Sequence, residues 1–160
     1  MNRRANTVLG LLLPALMAAS PVFAAVEATE GWTRATPPGT RVAVGYFTLR
    51  NTGKGRRELL KITSPLAGMV SLHQTSVDAR GVSRMWPVGK LALAPGQVLR
   101  FEPMGTHVML EGLVEGLRAG ARVPLTLVFQ DEAPVTVQLD VRPLVDTAAG
   151  HDAGHGHEHR

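Results

Sequence analysis

From residue 41 to residue 50 the chain alternates. Val42, Val44, Tyr46 and Thr48 fall on one face, and Ala43, Gly45, Phe47 and Leu49 on the other. That two-residue period predicts a β-strand. Asn51, Thr52 and Gly53 predict the turn that ends it. Comparable short runs cover residues 58–63, 69–75, 82–88, 98–101, 106–110, 125–130 and 134–141. Polar or Gly- and Pro-containing turns lie between them, such as residues 76–81, Pro95-Gly96 and Asp131-Glu132. Residues 25–39 predict an extended lead-in that contains Trp32 and closes at Pro37-Pro38-Gly39. The best helical candidate is residues 110–117, and Gly112 and Gly116 weaken it. Seven or eight short strands without helices predict an all-β antiparallel sandwich or barrel.

The two ends depart from this pattern. Arg3 and Arg4 precede an apolar run from Val8 to Ala19, and Val22, Phe23 and Ala24 follow with small residues at the first and third places. Residues 1–24 read as a secretory signal peptide, with cleavage after Ala24. The run is shorter than the ~20 residues that a spanning helix needs. Stable membrane insertion is therefore not expected, and the mature chain is expected outside the cytoplasm. Residues 147–160 are Gly- and His-rich with nothing to bury, which predicts a disordered tail. The segment between, residues 25–146, has the length of one domain.

Composition narrows the chemistry. The formal charge is +4 and falls by two when Arg3 and Arg4 leave with the signal. The basic residues are scattered, which argues against nucleic acid as a partner. There are no cysteines. Thiol nucleophiles, thiol–disulfide exchange and the thiolate of a blue-copper site are thereby excluded. No acid–base pair, oriented Ser-His-Asp set or phosphate loop stands out, so an enzyme is not expected.

The domain has two histidines, His73 and His107, and four methionines, Met69, Met85, Met104 and Met109. His107 and Met109 are separated by one residue, so on a strand both point the same way. A hairpin about residues 76–81 would bring His73 and Met85 together. Neutral imidazole and thioether donors suit Cu(I). Thioether is a poor ligand for Zn(II), Ca(II) or Mg(II). Taken singly, a gap-filling methionine or a hydrogen-bonded histidine is the better explanation of each residue, and the His107–Met109 pair brings the two readings level. In the tail His151, His155, His157 and His159, with Asp152 and Glu158, form a second candidate set suited to Cu(II), Zn(II) or Ni(II).

The combined spacing is more specific. Eleven residues separate His73 from Met85, twenty-one separate Met85 from His107, and one separates His107 from Met109. This pattern resembles that of the PCuAC family of periplasmic copper chaperones. The segment from Gly31 to Gly39 (Gly-Trp-Thr-Arg-Ala-Thr-Pro-Pro-Gly), Leu72-His73-Gln74-Thr75-Ser76 and the stretches 46–53 and 123–129 resemble further family segments. Gln74 departs from the family, which often has Met there, and so does Trp86, where a basic residue is common. On a strand Trp86 points away from Met85, so a packing role is expected for it.

The resemblance implies a Greek-key, cupredoxin-like β-sandwich or barrel with a shallow metal site near the surface. It implies that His73, Met85, His107 and Met109 hold Cu(I). It further implies delivery toward the subunit of cytochrome c oxidase that carries the CuA centre, alongside a Sco-type thiol protein. Family members can carry His- and Met-rich C-terminal extensions, which supports a metal role for the tail. Three other readings stay open: a periplasmic copper buffer or resistance protein, a Zn or Ni scavenger acting through the tail, and a non-metal interaction domain.

Overall fold

The computed structural model describes residues 25–145. The signal segment, Asp146 and the His-rich tail lie outside the described residues. Ten strands make up the fold: β1 (Val26–Arg34), β2 (Val42–Asn51), β3 (Arg57–Thr63), β4 (Ala67–Val77), β5 (Ser83–Pro87), β6 (Leu91–Leu93), β7 (Val98–Arg100), β8 (Thr106–Leu113), β9 (Arg122–Phe129) and β10 (Val135–Arg142). There is no helix among the described residues, and the helical candidate at residues 110–117 instead continues β8 through Leu113.

Hydrogen bonding links the strands in the order β5-β4-β8-β2-β1-β10-β9-β3-β6, with β7 also paired to β2. The sheet curls, because β3 packs against β4 although five strands separate them in that order. Alternation decides which side chains fill the interior. On β2 the inward set is Ala43, Phe47 and Leu49; on β8 it is Val108 and Leu110. On β9 it is Val123, Leu125, Leu127 and Phe129, and on β10 Val137, Leu139 and Val141. Burying each such Leu or Phe contributes ~1.5–3 kcal/mol. Gly45 completes the inward row of β2 without a side chain. A Cβ there would stand 2.7 Å from Leu139 Cδ1 and 2.8 Å from Val108 Cγ2.

Two of the ten strands exceed the sequence expectation. The lead-in is itself a core strand. β1 pairs antiparallel with β2 and parallel with β10, which joins the two halves of the sheet. Its register shifts between Thr29 and Trp32, where Glu30 takes a positive φ of 56°. The other addition, β6, pairs with β3. Asn51 ends β2, as the turn signal predicts, yet its side chain is fully buried. Its Nδ2 donates to the carbonyls of Gly55, Leu93 and Ala94 at 2.8–3.1 Å, and its Oδ1 accepts from Gly53 N–H. Glu132, in the β9–β10 turn, pairs with Arg57 at 2.7 Å and accepts from the backbone N–H of Ala25.

Candidate metal centre

The candidate residues lie on the outer face of the β5-β4-β8 edge. Because Val108 and Leu110 point inward with 0% exposure, their neighbours His107, Met109 and Glu111 must point outward. On β4, Val70 and Leu72 pack on the core, so Ser71 and His73 share the outer face. Register places the partners. His73 stands opposite His107, Ser71 opposite Met109, and Met69 opposite Glu111. Across the other edge of β4, Thr75 stands opposite Met85 and His73 opposite Pro87. The hairpin expected about residues 76–81 is thus present. Asp78 Oδ1 accepts from the backbone N–H groups of Arg80 and Val82 within it.

Met85 is offset by two residues from the position facing His73. Its thioether reaches over β4 to His107, with Sδ 3.3 Å from Nε2. The Nδ1 of the same ring lies 3.0 Å from the carbonyl oxygen of Gly105. A carbonyl only accepts, so Nδ1 carries the hydrogen and the neutral ring presents a bare Nε2 to the sulfur. Two lone-pair donors therefore face each other at a distance that a cation between or beside them would relieve. His73 flanks this pair, its ring centroid 6.1 Å from that of His107. Met109 is placed by register, between Ser71 on β4 and Val44 on β2.

The expected shallow site is layered in depth. His107 is only 5% exposed although it is on the outer face, because Met85 covers it, while Met85 itself is 53% exposed. Met104 is exposed in the turn before β8 at a φ of 64°. Gln74 and Trp86 are opposite each other on the reverse face, and Gln74 accepts a hydrogen bond from Thr106 Oγ1 at 2.7 Å. Trp86, for which packing is expected, remains 45% exposed. Among the described residues no group of three or more His, Cys, Asp or Glu could hold a metal ion. The tail candidates His151, His155, His157 and His159 lie outside the described residues.

Two neighbours of the histidines, Ser71 and Glu111, have no role that the sequence alone assigns. Ser71 Oγ is 3.0 Å from His73 Nε2 and donates to Glu111 Oε2 at 3.3 Å. Both are reachable by alternation, two residues from His73 and two from Met109. Trp32 and Tyr46, on the adjoining strands, have ring centroids 4.4 Å apart, and Arg142 lies over the indole at 4.4 Å. Burial pushes the Tyr46 phenol above its usual range, partly offset by the charge of Arg34.

The family model described as "Putative lipoprotein LpqE-like" matches residues 26–141. The chain belongs to this LpqE-like family, which is of the PCuAC type. Among curated relatives of this LpqE-like protein, Lxx21020 of Leifsonia xyli subsp. xyli is 31% identical over 118 residues, covering 73% of the chain and 69% of the relative. It is named as a lipoprotein. Among solved structures, the copper-bound PCuAC domain from PmoF2 superposes with a TM-score of 0.61 at 23% identity, covering 74% of this chain and 93% of that one. The solution structure of CuI-DR1885 from Deinococcus radiodurans superposes with a TM-score of 0.55 at 29% identity, covering 79% and 83%. The expected cupredoxin-like fold is thus the fold of the LpqE-like chain.

Proposed function

We propose that this LpqE-like protein is an exported copper carrier that holds Cu(I) through His73, Met85, His107 and Met109. The observation that carries the reading is the bare Nε2 of His107 facing the sulfur of Met85 at 3.3 Å, with the other ring nitrogen tied to Gly105. Two neutral nitrogens and two thioethers form a soft, uncharged donor set. Such a set discriminates against Zn(II) and oxygen-seeking ions. CuI-DR1885, a Cu(I) form at 29% identity, supports the same ion for this chain.

The layered depth suits a carrier. His107 keeps the ion on a buried floor, and the exposed Met85 is the donor that an incoming thiolate displaces first. The recipient in this reading is the CuA-bearing subunit of cytochrome c oxidase, with a Sco-type thiol protein as companion. The chain lacks cysteine, so any electrons that reduce the recipient's thiols come from that companion. The signal segment and the lipoprotein name of the family support action in the periplasm. The tail histidines would gather Cu(II) beside the site. The geometry suits binding and release rather than catalysis.

X-ray absorption on Cu(I)-loaded protein ending at Gly150 tests the site. Sulfur and nitrogen together in the first shell are expected, and a shell of nitrogen and oxygen only refutes the assignment. Oxidase activity in a deletion strain on limiting copper tests delivery. Unchanged activity would leave a copper buffer or resistance protein as the reading.

A further inference from the structure

The hydrogen-bond chain behind His73 fixes which nitrogen that ring presents. Ser71 Oγ contacts both His73 Nε2, at 3.0 Å, and Glu111 Oε2, at 3.3 Å. A serine hydroxyl has one hydrogen, and an ionised carboxylate only accepts. The hydroxyl hydrogen therefore goes to Glu111, and the Ser71 oxygen accepts from His73 Nε2–H. A neutral imidazole holds one hydrogen, so its lone pair sits on Nδ1. That Nδ1 is buried and has no hydrogen-bond partner among the described residues. In His107 the arrangement is reversed, with Nδ1–H on the Gly105 carbonyl and Nε2 bare.

We infer that Ser71 and Glu111 are positioning residues that hold His73 as its Nε2–H tautomer, so that His73 binds the ion through Nδ1 where His107 binds it through Nε2. The inference rests on the copper site proposed above. Its origin is the strand register. Glu111 lies two residues beyond Met109, and Met109 stands opposite Ser71, so the carboxylate sits on the diagonal from Ser71 on one continuous face. The two histidines face each other across β4 and β8. Presenting opposite ring nitrogens lets two facing imidazoles serve a single ion without the same tether. The carboxylate, one hydroxyl away, also stabilises positive charge on the imidazole and strengthens Nδ1 as a donor.

The test uses the full chain, uniformly labelled with nitrogen-15 and free of metal. Long-range proton–nitrogen correlation of the imidazoles is recorded at a pH where the rings are neutral. His73 is identified by its loss in His73→Gln. The expected spectrum shows His73 with hydrogen on Nε2 and His107 with hydrogen on Nδ1. Ser71→Ala should mix the His73 tautomers and weaken Cu(I) binding ~10–100-fold, the usual effect of removing an outer partner of a metal-bound histidine. Ser71→Thr keeps the hydroxyl and should restore both properties. Glu111→Ala frees the Ser71 hydrogen to turn toward His73 and should mix the tautomers as Ser71→Ala does. It serves in place of Ser71→Ala should that variant misfold.

A His73 with hydrogen on Nδ1 in the parent protein overturns the inference, as does an unchanged tautomer in both variants. The copper reading fails separately, if His73→Gln binds Cu(I) as tightly as the parent protein. The tautomer is read without copper, so the two failures are distinguishable.

Discussion

His73 and His107 are cross-strand partners on β4 and β8, with ring planes 24° apart and centroids separated by 6.1 Å. The pair forms from residues thirty-four positions apart in sequence because both lie on the face that Val108, Leu110 and Leu72 leave to solvent. Each ring is held by a different tether, a serine hydroxyl for one and a backbone carbonyl for the other.

Met85→Leu separates chemistry from packing. The side chain is exposed on β5, and leucine nearly conserves its volume, so stability should change by less than ~1.5 kcal/mol. The sulfur is lost, and Cu(I) affinity should fall by more than the ~10–100-fold typical of an outer-shell change. Competition against a chromophoric Cu(I) chelator measures this. Equal affinity for parent and variant would remove Met85 from the site.

Ending the chain at Gly150 removes His151, His155, His157 and His159. Cu(I) affinity should stay nearly unchanged, while the capacity for Cu(II) should drop. Calorimetric titration with each ion reads both. Loss of Cu(I) binding would hand the function to the tail and favour a scavenger.

Asn51→Ala should be among the costly substitutions away from the site. It strips a hydrogen bond from the buried carbonyl of Leu93, at ~1–3 kcal/mol for a buried group left unsatisfied. Urea denaturation should show a lower midpoint. A change within ~0.5 kcal/mol, the range of an ordinary surface substitution, would contradict the role assigned to the side chain.

Tyr46 is the sole tyrosine, so phenolate absorbance titrates it directly. Burial raises its pKa above 10.0 and Arg34 opposes the shift. The phenol should therefore ionise later in the folded protein than in the unfolded chain. The neutral ring's contribution to stability is complete below the unfolded value and lost as pH rises through the folded one. Arg34→Ala should move the midpoint higher still. A midpoint at or below that of the urea-unfolded chain would contradict the burial.

Much of the fold is legible from alternation. The inward row of β2 follows from Ala43, Phe47 and Leu49, and the shared face of His107 and Met109 follows from their spacing. The hairpin that carries Met85 follows from a polar turn between two apolar runs. Depth is not legible, because the burial of His107 depends on a side chain from two strands away. Neither is β1, whose bulge at Thr29–Trp32 breaks the alternation that would announce it. Ser71 and Glu111 were within reach of the same rule. Their hydrogen bonds depend on which positions of β4 and β8 face each other, and only the register fixes that.

β5 is the last strand of the sheet, bonded to β4 alone and exposed along its whole length. Peeling it back costs one strand pairing and leaves the interior packing intact. The arm that bears Met85 should therefore open at a free energy separate from that of unfolding, as a latch would. Backbone amides of Ser83–Trp86 should exchange with deuterium well before those of β8, and metal loading should slow them selectively. Uniform protection of both strands would mean that the latch and the core open as one unit.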